Sequence, residues 1–151
     1  MSLWLSGIGV SKGIVIGRAQ VSAGADQAVP EYKIKAEQQA AEIQRFEVAV
    51  QTASAQLQAI GTTLPPGTPA DVGAFVQMHL LMLEDKALTA AVVQLIQSKQ
   101  INAEWAVKLH RDQLIAVFEQ MDDAYLRTRR DDVVHVMARV LRVSLGEPEH
   151  E

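Results

Sequence analysis

One histidine, His79, lies in a run of leucine and methionine residues that ends at two acids, FVQMHLLMLED from Phe75 to Asp85. Histidine changes its charge near neutral pH, so at such a position it can act as a general base, a metal ligand or part of a binding surface. It can also be a partly buried core residue whose ring nitrogens bond to backbone groups or water. The apolar neighbours of His79 favour a docking or a core role, and the choice between these two stays open.

The apolar side chains around His79 outnumber those that one bundle-facing stripe of a helix can bury. Methionine is common on adaptable protein-binding surfaces, and apolar patches outside a core mark interaction sites. We therefore expect a docking surface in this region. The residues that provide the excess are Phe75, Met78, Leu81, Met82 and Leu88.

Asp132 and His135 are three residues apart, the spacing of the carboxylate–histidine pairs in di-iron helical bundles. Such a site also needs carboxylates from the other helices and a second histidine pair. The candidate donors are Glu47, Glu84 and Glu119, and the sequence has no second pair. We therefore assign no metal ligand, and a metal-binding helical bundle remains an alternative hypothesis.

Arg129 falls between Leu126 and Val133 on the apolar stripe of the predicted last helix. A lone arginine on such a stripe can extend its charged end to the rim of a bundle. Its planar guanidinium is also suited to an acidic or phosphorylated group of a partner. Asp131 and Asp132 follow directly, so the local charge is balanced and RNA binding is not expected.

No group of residues in the sequence resembles a catalytic constellation. The glycines at positions 7, 9, 13 and 17 form neither a G-x-G-x-x-G motif nor a Walker loop. There is no serine elbow and no pair of carboxylates whose spacing supports acid–base chemistry. The sequence therefore predicts no catalytic residue and no bound cofactor in this chain.

Composition and charge exclude several classes of protein. The 151 residues are 48% apolar and 5% aromatic, a mixture that suits one helical domain. The absence of cysteine excludes disulfides and predicts a cytoplasmic location. A net charge of −4 argues against nucleic-acid binding, and no apolar run approaches the ~20 residues that cross a membrane. A basic protein partner suits such a chain better.

Two patterns divide the chain. Residues 1–22 hold a short leader and two glycine-rich strands, and residues 23–30 form a linker. Residues 31–146 show the periodicity of about four long helices, and residues 147–151 form a polar tail. Short loops between long amphipathic helices predict antiparallel neighbours. The predicted fold is thus mostly α, an antiparallel four-helix bundle with short amino-terminal β-strands.

Two polar positions are predicted to shape the helices. Glu84 and Asp85 interrupt the second helical run, and since carboxylates favour a helix N-terminus they indicate either a kink or a fresh helix start. Asn102, with Glu104 two residues later, is a candidate N-cap for the next helix.

Four segments, taken in order, resemble the amino-terminal region of enzyme I of the bacterial sugar phosphotransferase system, the phosphoenolpyruvate–protein phosphotransferases. The resemblance runs from about Leu5 to Gly146, and its specificity lies in the order and spacing of the segments. They are GIGVSKGIVIGRA at 7–19, MHLLMLEDKAL at 78–88, INAEWAV at 101–107 and DDAYLRTRRDDV at 122–133.

Enzymes of this family move a phosphoryl group from phosphoenolpyruvate to a histidine and then to the small carrier HPr during sugar uptake. The resemblance implies a helical HPr-binding domain with a kinked second helix, beside an incomplete α/β phosphohistidine subdomain. The family's Gly-Gly-x-Thr-Ser-His motif is absent and is expected beyond Glu151, so this fragment alone is expected to be inactive. Mg²⁺ and the contact of a homodimer are expected in a carboxyl-terminal domain of the full-length enzyme.

The resemblance also implies where HPr docks, on the kinked helix and on neighbouring parts of the last two helices. An apolar patch excludes water at the centre of such an interface, and an acidic rim steers a basic partner. Between positions 70 and 88, Asp71, Glu84 and Asp85 stand against Lys86, so three acids and one base leave a charge of −2. The implied partner-binding residues are Phe75, His79, Met82, Asp85, Leu88, Phe118, Leu126 and Arg129.

The sequence departs from the family pattern at several positions. Lys12 stands where proline is frequent, and Ala70 and Ala87 stand where acids are frequent. His135 stands where the family usually has aspartate. A regulatory paralogue with another carrier partner is therefore a second alternative.

Overall fold

The computed structural model describes residues 28–146 and the single positions 4, 7, 13, 14, 16 and 17. No β-strand occurs among these residues. The predicted strands within 1–22 fall mostly outside them, and the predicted tail at 147–151 falls wholly outside. The described elements are a 3₁₀ turn at Ala36–Gln38 and five α-helices: α1 (Gln39–Thr63), α2 (Ala70–Glu84), α3 (Lys86–Lys99), α4 (Ala103–Glu119) and α5 (Ala124–Ser144).

Helix α1 is the long element against which the other helices pack. Gln39 at its start donates its side-chain N–H to the carbonyl of Gln97 at 3.2 Å, so α3 ends beside the beginning of α1. Gly61 near its end lies against Val76, whose Cγ1 would be 3.4 Å from a Cβ at position 61. The run from α2 to α3 therefore descends along α1 in the opposite direction, as short connections favour.

The second helical run is broken rather than kinked. Asp85 has an extended ψ of 110°, which ends α2 at Glu84, and its Oδ1 accepts a hydrogen bond from the backbone N–H of Ala87 at 2.8 Å. This side-chain cap begins α3 as a new helix, so residues 28–146 form five α-helices where the sequence predicted about four, the second of them kinked. A fresh start, the second option left open by the two acids, is the observed outcome.

Helices α4 and α5 also run in opposite directions. The hydroxyl of Ser144, the last residue of α5, donates to Glu104 in the first turn of α4 at 2.7 Å. At the other end, Arg130 lies 3.4 Å from Glu119. A single apolar core runs between all five helices; its members with almost no exposure include Ala53, Leu57, Val92, Ile96, Val107, Val136 and Leu141.

Loss of the Asp85 cap should destabilise the protein measurably. Asp85→Ala removes the acceptor for the Ala87 N–H and is expected to lower the free energy of unfolding by about 1 kcal/mol, the usual value of an N-cap. Urea unfolding followed by circular dichroism measures the change. Glu84→Ala is the matched control, since Glu84 is an exposed neighbour at the end of α2. Equal stability losses in the two variants would contradict the cap.

Candidate docking surface

Helices α2 and α5 meet at a cluster of rings and charges. Phe75 and His79, one turn apart on α2, have ring centroids 3.9 Å apart, and the ring of His135 on α5 lies 6.5 Å from Phe75 and 6.4 Å from His79. Nε2 of His79 lies 3.4 Å from Oδ1 of Asp132. The structure therefore brings Phe75 and His79 together with the polar face of α5.

His79 is a buried member of this cluster, with 3% of its surface exposed. Burial disfavours the imidazolium and lowers the pKa of His79, although Asp132 acts in the opposite direction. His135 and Arg139 on α5 add to the lowering. Of the roles left open by the sequence, the core role describes the position of His79, whose ring supports the more exposed Phe75.

Arg129 is held in place on the surface of α5. Its Nη2 donates to the hydroxyl of Tyr125 at 2.6 Å, and its guanidinium carbon lies 5.0 Å from the centroid of the Tyr125 ring. Its Nη1 is 3.6 Å from Oδ2 of Asp132. The hydrogen bond that Arg129 donates to Tyr125, with Asp132 a further contributor, raises the pKa of Arg129, which stays charged.

Exposed apolar side chains lie on the same two helices. Phe75 is 46% exposed and Leu81 is 61% exposed, so α2 presents apolar surface outside the core, as the excess in the sequence predicted. Val72 and Tyr125 are exposed as well. Leu81 belonged to the apolar excess in the sequence but not to the implied partner-binding set, and Val72 and Tyr125 belonged to neither. The signal for Leu81 was its place two residues from both His79 and Leu83, which puts it off the buried stripe.

The other predicted residues are spread over helices α2 to α5 and are not gathered at this cluster. Met82 and Leu88 are half-buried and pack against the core, and Asp85 is exposed at the break between α2 and α3. Asp85 is ten residues from Phe75, or about 15 Å along a helix axis. Phe118 and Leu126 are half-buried on α4 and α5.

The structure gives no support to the metal-binding alternative. Asp132, its central ligand, contacts His79 and Arg129 instead. Among the described residues there is no group of three or more histidine, cysteine, aspartate or glutamate side chains that could hold a metal ion.

A second polar cluster, which sequence reasoning missed, surrounds the buried Glu104. Its carboxylate accepts two hydrogen bonds from Arg45, at 2.6 and 2.7 Å, and one each from Ser144 and Asn102. Burial alone would raise the pKa of Glu104, but these bonds outweigh it and lower the pKa to about 2. Asn102 also accepts from the backbone N–H of Tyr32 at 3.0 Å, so this cluster fixes the chain where it enters the helices.

The chain is similar to known proteins over most of its length. The profile described as "PEP-utilising enzyme, N-terminal" matches residues 6–129. The chain belongs to this family. A phosphoenolpyruvate-protein phosphotransferase of Cupriavidus necator is 36% identical over 148 residues, 98% of this chain and 25% of that protein. One of Listeria monocytogenes is 32% identical over 146 residues, 97% of this chain and 25% of that protein. The chain thus spans about a quarter of the length of these curated relatives.

A solved structure shares the fold of this family member. The "NMR solution structure of Enzyme I (nEIt) protein using two 4D-spectra" has a TM-score of 0.75 at 24% identity, and the match covers 79% of this chain and 48% of that one. The comparison and the family match confirm the resemblance and the mostly helical fold. Every helix in the described residues lacks the combination of length and hydrophobicity needed to span a bilayer.

The buried histidine makes the stability of the protein depend on pH. The folded-state pKa of His79 lies below its unfolded value of 6.5, so the unfolded chain binds more protons as the pH falls. His79 therefore leaves the free energy of unfolding unchanged well above pH 6.5 and lowers it as the pH falls through this value. We expect the Tm to drop between pH 7.5 and 5.5, and less so in His79→Gln. The same drop in both proteins would assign the effect to other groups, with His110, also buried and with a lowered pKa, the first candidate.

Proposed function

We propose that this chain is the HPr-binding part of a phosphoenolpyruvate–protein phosphotransferase. HPr docks on the α2–α5 surface, which we define as Val72, Phe75, Leu81, Tyr125 and Arg129. The docked carrier is thereby positioned to receive a phosphoryl group from a histidine that is not among these residues. The proposal rests on the family membership together with the exposure of Phe75 and Leu81.

The exposed fraction of Phe75 is the observation that carries the docking proposal. Nearly half of this aromatic side chain is in contact with solvent, while its inner face is fixed by His79 and His135. A rigid, partly exposed aromatic ring is the type of residue that contributes most to protein interfaces, because little conformational freedom is lost on binding. The acids Asp71, Glu84 and Asp85 lie on or next to the same helix and favour a basic partner.

The whole enzyme has further properties under this proposal. It catalyses phosphoryl transfer from phosphoenolpyruvate in the cytoplasm during bacterial sugar uptake, requires Mg²⁺ and forms a homodimer through a carboxyl-terminal domain. These properties follow from the family resemblance.

A titration of the ¹⁵N-labelled chain with unlabelled HPr tests the docking surface. We expect shift changes concentrated at residues 72–88 and 117–130, and affinity that weakens with salt because the charged rim is exposed. A groove between α1 and α3, of about 620 Å³, is lined by Phe46, Val50 and Val93. Shift changes confined to this groove would show that HPr binds there and not on the α2–α5 surface. An unchanged spectrum at millimolar HPr would exclude the proposal.

A further inference from the structure

Asp132 connects the two helices that form the α2–α5 surface. Its two carboxylate oxygens are divided between neighbours: Oδ1 is 3.4 Å from Nε2 of His79 on α2, and Oδ2 is 3.6 Å from Nη1 of Arg129 on α5. The side chain of Asp132 is 13% exposed and that of His79 is 4% exposed, so the contact between them is shielded from water. One carboxylate therefore fixes the position of Arg129 relative to the Phe75–His79 ring pair.

Tyr125 holds the same guanidinium from its other side. The 2.6 Å hydrogen bond fixes Nη2, and the 5.0 Å distance between the guanidinium carbon and the ring centroid allows a cation–π contact. A free arginine side chain has considerable rotamer entropy, which binding would otherwise have to remove. Tyr125 and Asp132 together remove much of it before a partner arrives.

Arg129 retains the capacity to bind a partner in this arrangement. A guanidinium carries five N–H donors, more than the contacts of Nη2 with Tyr125 and Nη1 with Asp132 require. Its side chain is 27% exposed, so the remaining donors can reach the surface. The planar fork fits a carboxylate in particular, with two parallel hydrogen bonds.

We propose that Tyr125 and Asp132 are positioning residues that hold Arg129 ready to bind a carboxylate of the docked protein. This inference rests on the proposed function, because the docked protein is HPr. It adds two residues, Tyr125 and Asp132, that the predicted partner-binding set did not contain. Arg129 makes the contact with the carboxylate, and the hydroxyl of Tyr125 and the carboxylate of Asp132 act through Arg129.

Affinity measurements with a double-mutant cycle test the positioning role. With HPr as the titrant, we expect Tyr125→Phe to bind about threefold to tenfold more weakly, the effect of losing one typical hydrogen bond. Asp132→Asn should have a similar effect, and Asp132→Glu should restore part of the affinity. In an Arg129→Ala background, Tyr125→Phe should change nothing further, because its role passes through Arg129.

Matched controls separate positioning from general damage. Two control variants should leave the affinity for HPr unchanged. Asp131→Asn alters the exposed position next to Asp132 on α5, and Tyr32→Phe alters an exposed tyrosine that is far from Arg129 in the fold. Additive losses from Tyr125→Phe and Arg129→Ala, or full affinity in both Tyr125→Phe and Asp132→Asn, would overturn the inference.

A partner-free measurement keeps this test independent of the proposed function. The NMR order parameter of the Arg129 Nε–H should be high in the unaltered chain and should fall in Tyr125→Phe and Asp132→Asn. If HPr fails to bind the unaltered chain, the proposed function and the carboxylate contact both fail, and the order parameter still decides whether Arg129 is held. An Arg129 side chain equally mobile in all three proteins overturns the positioning role directly.

Discussion

Replacing Glu104 by glutamine should lower the free energy of unfolding by about 2–3 kcal/mol. Breaking a buried ion pair by removing one partner usually costs about 3–5 kcal/mol. We expect less here because the side chain of Arg45 is 39% exposed and also contacts Glu42 at 3.1 Å. Glutamine preserves the volume and one acceptor oxygen, but not the charge that Arg45, Asn102 and Ser144 surround. Urea unfolding at pH 7 measures the loss.

The free energy of unfolding should differ between the unaltered chain and Glu104→Gln by an amount that decreases at acidic pH. The pKa of Glu104 is about 2 in the folded protein, against a usual value of 4.5. Its stabilising effect is therefore present above pH 4.5 and is lost as the pH falls toward 2. The stability gap between the unaltered chain and Glu104→Gln should narrow over this range, and a constant gap would contradict the role of the carboxylate charge.

An exposed ion pair of the same length provides the control. Lys108 and Glu31 are also separated by 2.6 Å, but their side chains are 35% and 41% exposed. Surface pairs contribute roughly 0–1 kcal/mol, so Glu31→Gln should have a small effect at pH 7. A loss in Glu31→Gln equal to that in Glu104→Gln would show that burial is not what distinguishes the two sites.

Replacing Phe75 by alanine should weaken HPr binding by roughly tenfold to thirtyfold, or about 1.5–2 kcal/mol, the effect of removing an interface hot spot. The exposed half of the ring is the part available to a partner, and its inner face is already packed on His79. The solvent-facing area buried by HPr would thus be lost without replacement. Isothermal titration calorimetry measures the affinity.

Truncation of Phe75 also removes contacts within the protein, so a second apolar variant is needed. Leu81→Ala, at a side chain that is 61% exposed, should weaken binding with little change in Tm. Val48→Ala is the matched control: Val48 is 52% exposed on α1, one turn from Arg45 and thus near the Glu104 cluster at the other end of the molecule. Equal affinity of Phe75→Ala, Leu81→Ala and Val48→Ala for HPr would refute the docking surface.

The sequence predicted the helical class and the helix that carries exposed apolar side chains because both depend on local patterns. Apolar spacing of three and four residues identifies helix faces, and an excess of apolar residues identifies surface that no single stripe can bury. The exposure of Phe75 and Leu81 follows that excess. The acids at 84 and 85 marked the position of a break, but spacing does not distinguish a kink from a capped restart. That distinction required the backbone of Asp85.

Asn102 shows where local patterns stop being sufficient. It occupies the predicted N-cap position of α4, yet its side chain makes no capping bond there. Its amide instead bonds to Tyr32 and Pro30, about 70 residues earlier, and to Glu104. A side chain with several possible hydrogen-bond partners takes those that burial brings to it, and no local sequence window around Asn102 includes Tyr32 and Pro30.

The sequence by itself determined the family, the helical fold and the helix that carries the exposed apolar residues. The tertiary structure decided that His79 is buried and that Asp132 joins it to Arg129. It also decided that Glu104 bonds to Arg45 and Ser144 from distant segments as well as to nearby Asn102. The physical reason is that periodicity depends on near neighbours, whereas burial and the pairing of charges depend on groups that only the packing of helices brings into contact.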